Sequence, residues 1–83
     1  MEVKGLAVKY REIFAKRFAQ LRKSRGVTLQ ELGDALGITN QAVSYYETGK
    51  QLPRFEILCG IADYFGVSLD YLVGRSDRDE IES

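Results

Sequence analysis

Residues 28–48 read TLQELGDALGITNQAVSYYET and contain two short segments with helical periodicity. The first begins at Thr28, which has the spacing of a capping box with Glu31, and it ends at Gly37. Its apolar side chains share one helical face: Leu29, Leu32 and Leu36. These features predict a helix that starts after Thr28 and stops before Gly37.

The second segment is predicted to form a helix that is capped by Thr39 and continues to about Glu47 or Thr48. Val43 and Tyr46 are three residues apart and can face the core. The other face carries small, amide-bearing or aromatic side chains: Asn40, Gln41, Ser44 and Tyr45. An ordinary solvated helix would favour Lys and Glu there, because those residues are better helix formers.

Two short helices joined by about three residues that include glycine describe a helix-turn-helix. In that motif the second helix enters the major groove of DNA, and its N-terminal residues meet the base edges. Asn and Gln side chains can pair with N6 and N7 of adenine. The segment therefore predicts a DNA-binding element whose second helix recognises bases.

Three more helices are predicted around this motif, at about residues 10–25, 54–65 and 69–73. Pro53 stands where the fourth helix begins, and Ser68 is placed to cap the fifth. The first of the three has one apolar stripe: Tyr10, Phe14, Phe18 and Leu21. No segment has a strong strand pattern, so the predicted fold class is all-α with five helices.

The predicted domain spans residues 10–74, and a chain of 83 residues has room for only one. Residues 1–9 form an N-terminal extension that could pack on the domain, cross to a partner or be disordered. Residues 75–83 form an acidic C-terminal tail with almost nothing to bury, so this tail is expected to fray.

Composition argues against several classes of protein. The chain has one cysteine and no histidine, so it can form no internal disulfide and has no histidine for a zinc finger or a general base. No apolar run approaches the roughly 18 residues of a membrane span, and the start lacks a secretory pattern. No phosphate loop, metal cluster or nucleophile with its base is recognisable. We therefore expect no enzyme, no cofactor, no metal and no membrane contact.

Charge is distributed unevenly along a chain whose net charge is zero. Residues 1–25 carry eight basic and two acidic side chains, whereas residues 55–83 carry two basic and seven acidic ones. Phosphate binding needs a basic face and not a basic protein. The N-terminal third is therefore compatible with a nucleic-acid partner, although a charge run can also be simply a solvated face.

The order and spacing of these elements resemble the Cro and phage-repressor type of helix-turn-helix, the XRE family. The resemblance covers about residues 14–74 and is carried by these parts: residues 26–33, 36–39 and 43–50, Pro53, residues 61–70, and Leu72-Val73-Gly74. It implies a five-helix, lambda-repressor-like domain that regulates transcription, as a repressor more often than an activator. It also implies a homodimer on pseudo-palindromic double-stranded DNA, in the cytoplasm of a bacterium or encoded by a phage, and associated with the nucleoid when bound.

The resemblance implies three sets of site residues. The base-contacting set is Asn40, Gln41, Ser44 and Tyr45. The phosphate-contacting set is Thr28, Leu29, Thr39, Thr48, Gly49, Lys50 and Arg17. The third set is a structural ion pair, which ties the first helix to the end of the third: Arg22 and Glu47.

The sequence departs from the family pattern at several positions. Leu29 replaces a glutamine that touches phosphate, so only a backbone amide contact would remain there. Gly33 replaces an alanine, which is expected to cost about 0.5–1 kcal/mol of helix stability. Arg54 replaces the usual cap of the fourth helix. The recognition face carries no basic residue, so attraction to phosphate must come from Lys50, the first helix and the N-terminal segment.

A protein-interaction module with the same fold is the alternative, with a toxin or an anti-repressor as its partner. The acidic C-terminal third and the neutral net charge favour it. DNA affinity no better than generic would distinguish it from a regulator. In either case we expect no sensor domain within 83 residues. A dimer could form through Leu69, Tyr71 and Leu72, through the N-terminal segment, or through both.

Overall fold

The computed structural model describes residues 3–78, and it describes side chains from residue 8 onward. This part of the chain forms five α-helices and no strand: α1 Val3–Ser24, α2 Leu29–Leu36, α3 Asn40–Thr48, α4 Phe55–Phe65 and α5 Leu69–Leu72. The predicted all-α class is confirmed. The last residues of the predicted frayed tail, 79–83, lie outside the described residues. None of the described helices is long and apolar enough to cross a bilayer.

Helix α1 begins at Val3, which is seven residues before the predicted start. Val3 and Leu6 lie seven and four residues before Tyr10, so the helical period of the apolar stripe reaches back into this segment, although the sequence analysis left its structure open. Adding residues to an existing helix costs far less than nucleating a new one, and most residues of this segment are good helix formers. The N-terminal extension is therefore continuous with α1, which it lengthens by about 10 Å.

Local capping signals fix where the short helices start. Thr28 Oγ1 accepts a hydrogen bond from the Glu31 N–H at 3.0 Å and the Glu31 carboxylate accepts one from the Thr28 N–H, so the predicted capping box is confirmed. Thr39 and Ser68 likewise accept from the amide three residues ahead. Arg54 precedes α4 and makes no such side-chain bond. Each hydroxyl cap contributes about 1 kcal/mol to its helix.

The core is built around the apolar stripe of α1. The rings of Phe14 and Phe18 are stacked with centroids 5.5 Å apart, and Phe18 meets the edge of Phe65 at 6.5 Å. Burial of each large apolar side chain contributes about 1.5–3 kcal/mol. All five helices or their connections supply buried residues: Phe14, Phe18, Leu21, Leu32, Val43, Tyr46, Ile61, Ala62, Phe65, Val67 and Leu72.

Helix α5 faces this core, which corrects one expectation from the sequence. Leu72 is fully buried inside the molecule, so it is not available as a dimer contact. Leu69 and Tyr71 are partly buried and pack against the same core.

Gly33 lies where α2 passes closest to the turn that follows it. A Cβ atom at this position would lie 2.7 Å from the carbonyl oxygen of Ile38. The sequence suggested only a loss of helix stability at Gly33. In the structure the absence of a side chain allows α2 to approach the backbone of the turn.

We predict that Gly33→Val lowers the free energy of unfolding by about 2 kcal/mol, because the added atoms must displace the Ile38 carbonyl. Helix propensity alone would predict a small gain, since valine is a better helix former than glycine. Urea denaturation measures the effect. Ala35→Val is the matched control at an exposed position of α2 and should cost about 0.5 kcal/mol. Equal losses in the two variants would contradict the close approach at Gly33.

Candidate nucleic-acid interface

The turn between α2 and α3 occupies three residues. Gly37 is in the left-handed conformation with φ of 71°, which glycine adopts without strain. The N–H groups of Gly37 and Ile38 both donate to the Gly33 carbonyl, and Thr39 then caps α3. The chain therefore turns sharply and brings α3 against α2.

Helix α3 has one buried face and one open face. Val43 and Tyr46 are buried in the core, and the Tyr46 ring lies 6.3 Å from that of Phe18. The four residues predicted to contact bases share the other side of the helix, with the first two exposed and the others partly exposed: Asn40, Gln41, Ser44 and Tyr45. The structure therefore brings the predicted base-contacting set together.

The amide groups on this face are held by hydrogen bonds to neighbouring side chains. The Gln41 side-chain N–H donates to the Tyr45 hydroxyl at 2.8 Å. The Asn40 amide donates to Gln30 Oε1 at 3.1 Å, and Gln30 donates to Asp34 at 2.8 Å. These bonds orient the amide groups at the surface. When DNA binds, the edge of a base can replace the neighbouring side chain as the hydrogen-bond partner of an amide.

Gln30 is a candidate that the sequence analysis missed. It lies in the first turn of α2, it is exposed, and its amide is bonded to Asn40. The two residues are ten positions apart and belong to different helices, so only the turn geometry brings them together. One feature of the sequence could have indicated Gln30. The family has a phosphate-binding glutamine at the position of Leu29, and in this chain a glutamine follows one residue later.

The C-terminal end of α3 and the two residues after it contain three of the predicted phosphate contacts: Thr48, Gly49 and Lys50. The backbone N–H groups of Gly49 and Lys50 both donate to the Tyr45 carbonyl, as part of the helix cap. The Thr48 hydroxyl donates to the same carbonyl at 3.3 Å. The Lys50 ammonium lies 5.3 Å from the centre of the Tyr45 ring. Since the amides are already used, the Lys50 side chain is the strongest phosphate ligand in this segment.

The remaining phosphate candidates on the motif lie at helix starts. The Leu29 side chain packs against the core, so a phosphate contact there would use its backbone N–H at the positive end of α2. Thr28 and Thr39 occupy equivalent cap positions of α2 and α3 and are exposed. The two helix starts therefore present hydroxyl and amide groups to solvent.

Arg17 makes a different set of contacts from the other phosphate candidates. Its guanidinium donates to the carbonyl of Tyr71, to that of Ser76 at 2.6 Å and to the Asp77 carboxylate at 2.9 Å. It also lies 4.3 Å over the Tyr71 ring, and its side chain is only 18% exposed. Arg17 thus attaches residues 76–77 to α1, and this part of the tail is held where fraying was expected.

Arg22 joins α1, the α1–α2 connection and α3. Its Nε donates to Glu47 Oε1 at 2.6 Å, and its Nη1 donates to the Val27 carbonyl at 2.8 Å. The two charged side chains are 16% and 11% exposed. A largely buried pair of this kind is weak evidence for net stability, but its geometry ties the end of α3 to α1.

We predict that Glu47→Leu lowers the free energy of unfolding by about 2 kcal/mol, because it leaves the partly buried Arg22 guanidinium beside an apolar group without its carboxylate partner. The double variant Arg22→Met/Glu47→Leu should lose less than Glu47→Leu alone, since no unpaired charge remains. Urea denaturation of the two single variants and the double variant measures the coupling. Additive losses would show that the pair does not interact in solution.

The two packed helices and their short turn, inside a five-helix core, define a helix-turn-helix domain. A family model described as helix-turn-helix matches residues 18–72. The chain belongs to this family, and within it to the XRE type.

Several known proteins are similar to the chain. It is 37% identical over 73 residues to YonR, a prophage-derived HTH-type transcriptional regulator of Bacillus subtilis, covering 83% of this chain and 68% of YonR. It is 38% identical over 65 residues to the phage repressor RstR of Vibrio cholerae, covering 78% and 58% respectively. A crystal structure of a transcriptional regulator from Listeria innocua superposes with a TM-score of 0.71 at 30% identity, over 84% of this chain and 61% of that one. The matched part thus spans only about 60% of most of these relatives.

Proposed function

We propose that this chain is a sequence-specific regulator of transcription that binds double-stranded DNA through α3 in the major groove. The observation that carries the proposal is the division of α3 into two faces, with Val43 and Tyr46 buried and the amides of Asn40 and Gln41 exposed. Its relatives support it, because their names describe transcriptional regulators and, for RstR, a phage repressor.

In this proposal the two classes of contact have separate tasks. Phosphate contacts set the position of the domain on the duplex, and base contacts set its sequence preference. The Lys50 side chain and the starts of α2 and α3 supply the first class. Gln41, already oriented by its bond to the Tyr45 hydroxyl, supplies a bidentate contact to adenine. The chain acts as a binding protein and not as an enzyme, in the cytoplasm of its host.

Repression is the proposed direction of regulation. A domain of this size can block a promoter by occupancy alone, whereas activation needs a productive contact with polymerase. The chain would then be controlled by its abundance, by dimerisation or by a protein partner such as an anti-repressor.

A homodimer is part of the proposal, because two α3 helices about 34 Å apart would reach successive major grooves of a pseudo-palindromic site. With Leu72 buried, the apolar groups open to a second copy lie elsewhere. Phe55 is 69% exposed at the start of α4, and Leu52 is exposed just before it. Leu52 also lines a mainly apolar groove of about 260 Å³ with Tyr10 and Pro53. We place the contact between copies on this face.

We predict that Phe55→Ser shifts the chain toward monomer and weakens binding to a two-half-site duplex more than to a single half-site. Sedimentation velocity measures the first effect and fluorescence anisotropy the second. Tyr64→Ser is the matched control: it changes an exposed aromatic nine residues along α4, on the opposite side of the helix. An unchanged dimer in Phe55→Ser would remove this face from the proposal.

The proposed function is tested by selecting sites from a pool of random duplexes and then titrating the selected and scrambled duplexes by fluorescence anisotropy. We predict that Gln41→Ala lowers discrimination between the two duplexes by about 5- to 150-fold, the equivalent of one bidentate base contact of about 1–3 kcal/mol. Gln20→Ala removes an exposed glutamine from α1 and should leave discrimination unchanged. Failure of selection to enrich any sequence would overturn the proposal and favour a protein-interaction module.

A further inference from the structure

An open groove of about 600 Å³ lies between the middle of α1 and the end of α3. Arg11 and Lys16 line one wall, and Thr48 and Gly49 line the other. The walls are close: a Cβ atom at Gly49 would lie 3.9 Å from the Cβ of Ala15. The α1 residues of the groove therefore lie close to the end of α3, which precedes the proposed phosphate ligand Lys50.

The two cations of the groove are available to a ligand. Arg11 and Lys16 are exposed, and within the described residues neither forms an ion pair. Arg17 and Arg22 on the same helix are each bound to a carboxylate and have structural tasks. Arg11 and Lys16 are five residues apart, about 7.5 Å along the helix axis and about 140° around it, so they stand at two edges of the groove.

The recognition motif itself lacks charge to attract a duplex. Residues 26–54 carry two basic and three acidic side chains, and the open face of α3 has none that is basic. The affinity of a DNA-binding protein comes largely from neutralised phosphates. The groove also contains Glu47, whose charge is balanced by Arg22, and Glu12, which is exposed and opposes an anion.

We propose that Arg11 and Lys16 bind the phosphate backbone of the duplex, beside the strand segment that meets Thr48 and Lys50. This inference rests on the proposed function and extends it, because it assigns sequence-independent affinity to α1 outside the helix-turn-helix. Both cations lie within one continuous helix, α1, so their relative position is fixed.

The test measures the dependence of affinity on salt for the selected duplex. Because each substitution removes two cations from the dimeric complex, the slope of log K against log salt should fall in magnitude by about 1.8 for Arg11→Gln, by about 1.8 for Lys16→Gln and by about 3.6 for the double variant. Affinity for selected and scrambled duplexes should fall by the same factor, because phosphates carry no sequence information. Glu12→Gln should raise affinity for both duplexes.

Arg75→Gln is the control for net charge, since it removes an exposed cation beyond α5 and should leave the slope unchanged. Circular dichroism of each variant verifies that the fold is retained. An unchanged slope in the double variant overturns the inference while leaving the proposed function intact, provided that Gln41 still governs discrimination. A wild-type chain with no affinity for any duplex overturns both.

Discussion

The packing of α3 against α1 is the contact on which the interface depends. A helix of nine residues is not stable alone in water, so α3 exists because Val43 and Tyr46 are buried against neighbours such as Phe18. The hydrogen bond from Arg22 to Glu47 orients α3 relative to α1, because it holds the end of α3 at one place on α1. The orientation of the recognition face relative to α1 therefore follows from the core, whereas its position relative to α2 follows from the three-residue turn.

The cations of α1 differ in their surroundings. Arg17 and Arg22 point to carboxylates and backbone carbonyls, one at the C-terminal segment and the other at α3. Arg11 and Lys16 are exposed beside the end of α3. The chain has no net charge, but its acidic residues are concentrated in the C-terminal third. The exposed side of α1 can therefore still be basic.

Much of the candidate site could be predicted from the sequence because its signals are local. A threonine with a glutamate three residues later starts α2, a second threonine starts α3, and Gly37 separates them. The period of Val43 and Tyr46 determines which side of α3 is buried, and this in turn exposes Asn40 and Gln41. The bond between Asn40 and Gln30 was not predictable, because it joins two helices whose relative position depends on the turn.

By itself the sequence determined the number and type of the helices, most of their ends and the open face of α3, since caps, glycine and periodicity act within one or two turns of chain. Only the tertiary structure decided which partners the long polar side chains bind and whether α5 faces the core or a second copy. Arg17 could reach either a phosphate or the C-terminal segment, and Leu72 could face either a partner or the core. The physical reason is that the partner of Arg17 and the surroundings of Leu72 depend on which distant residues the packed helices bring close. Residue type and spacing along the chain do not specify those distances.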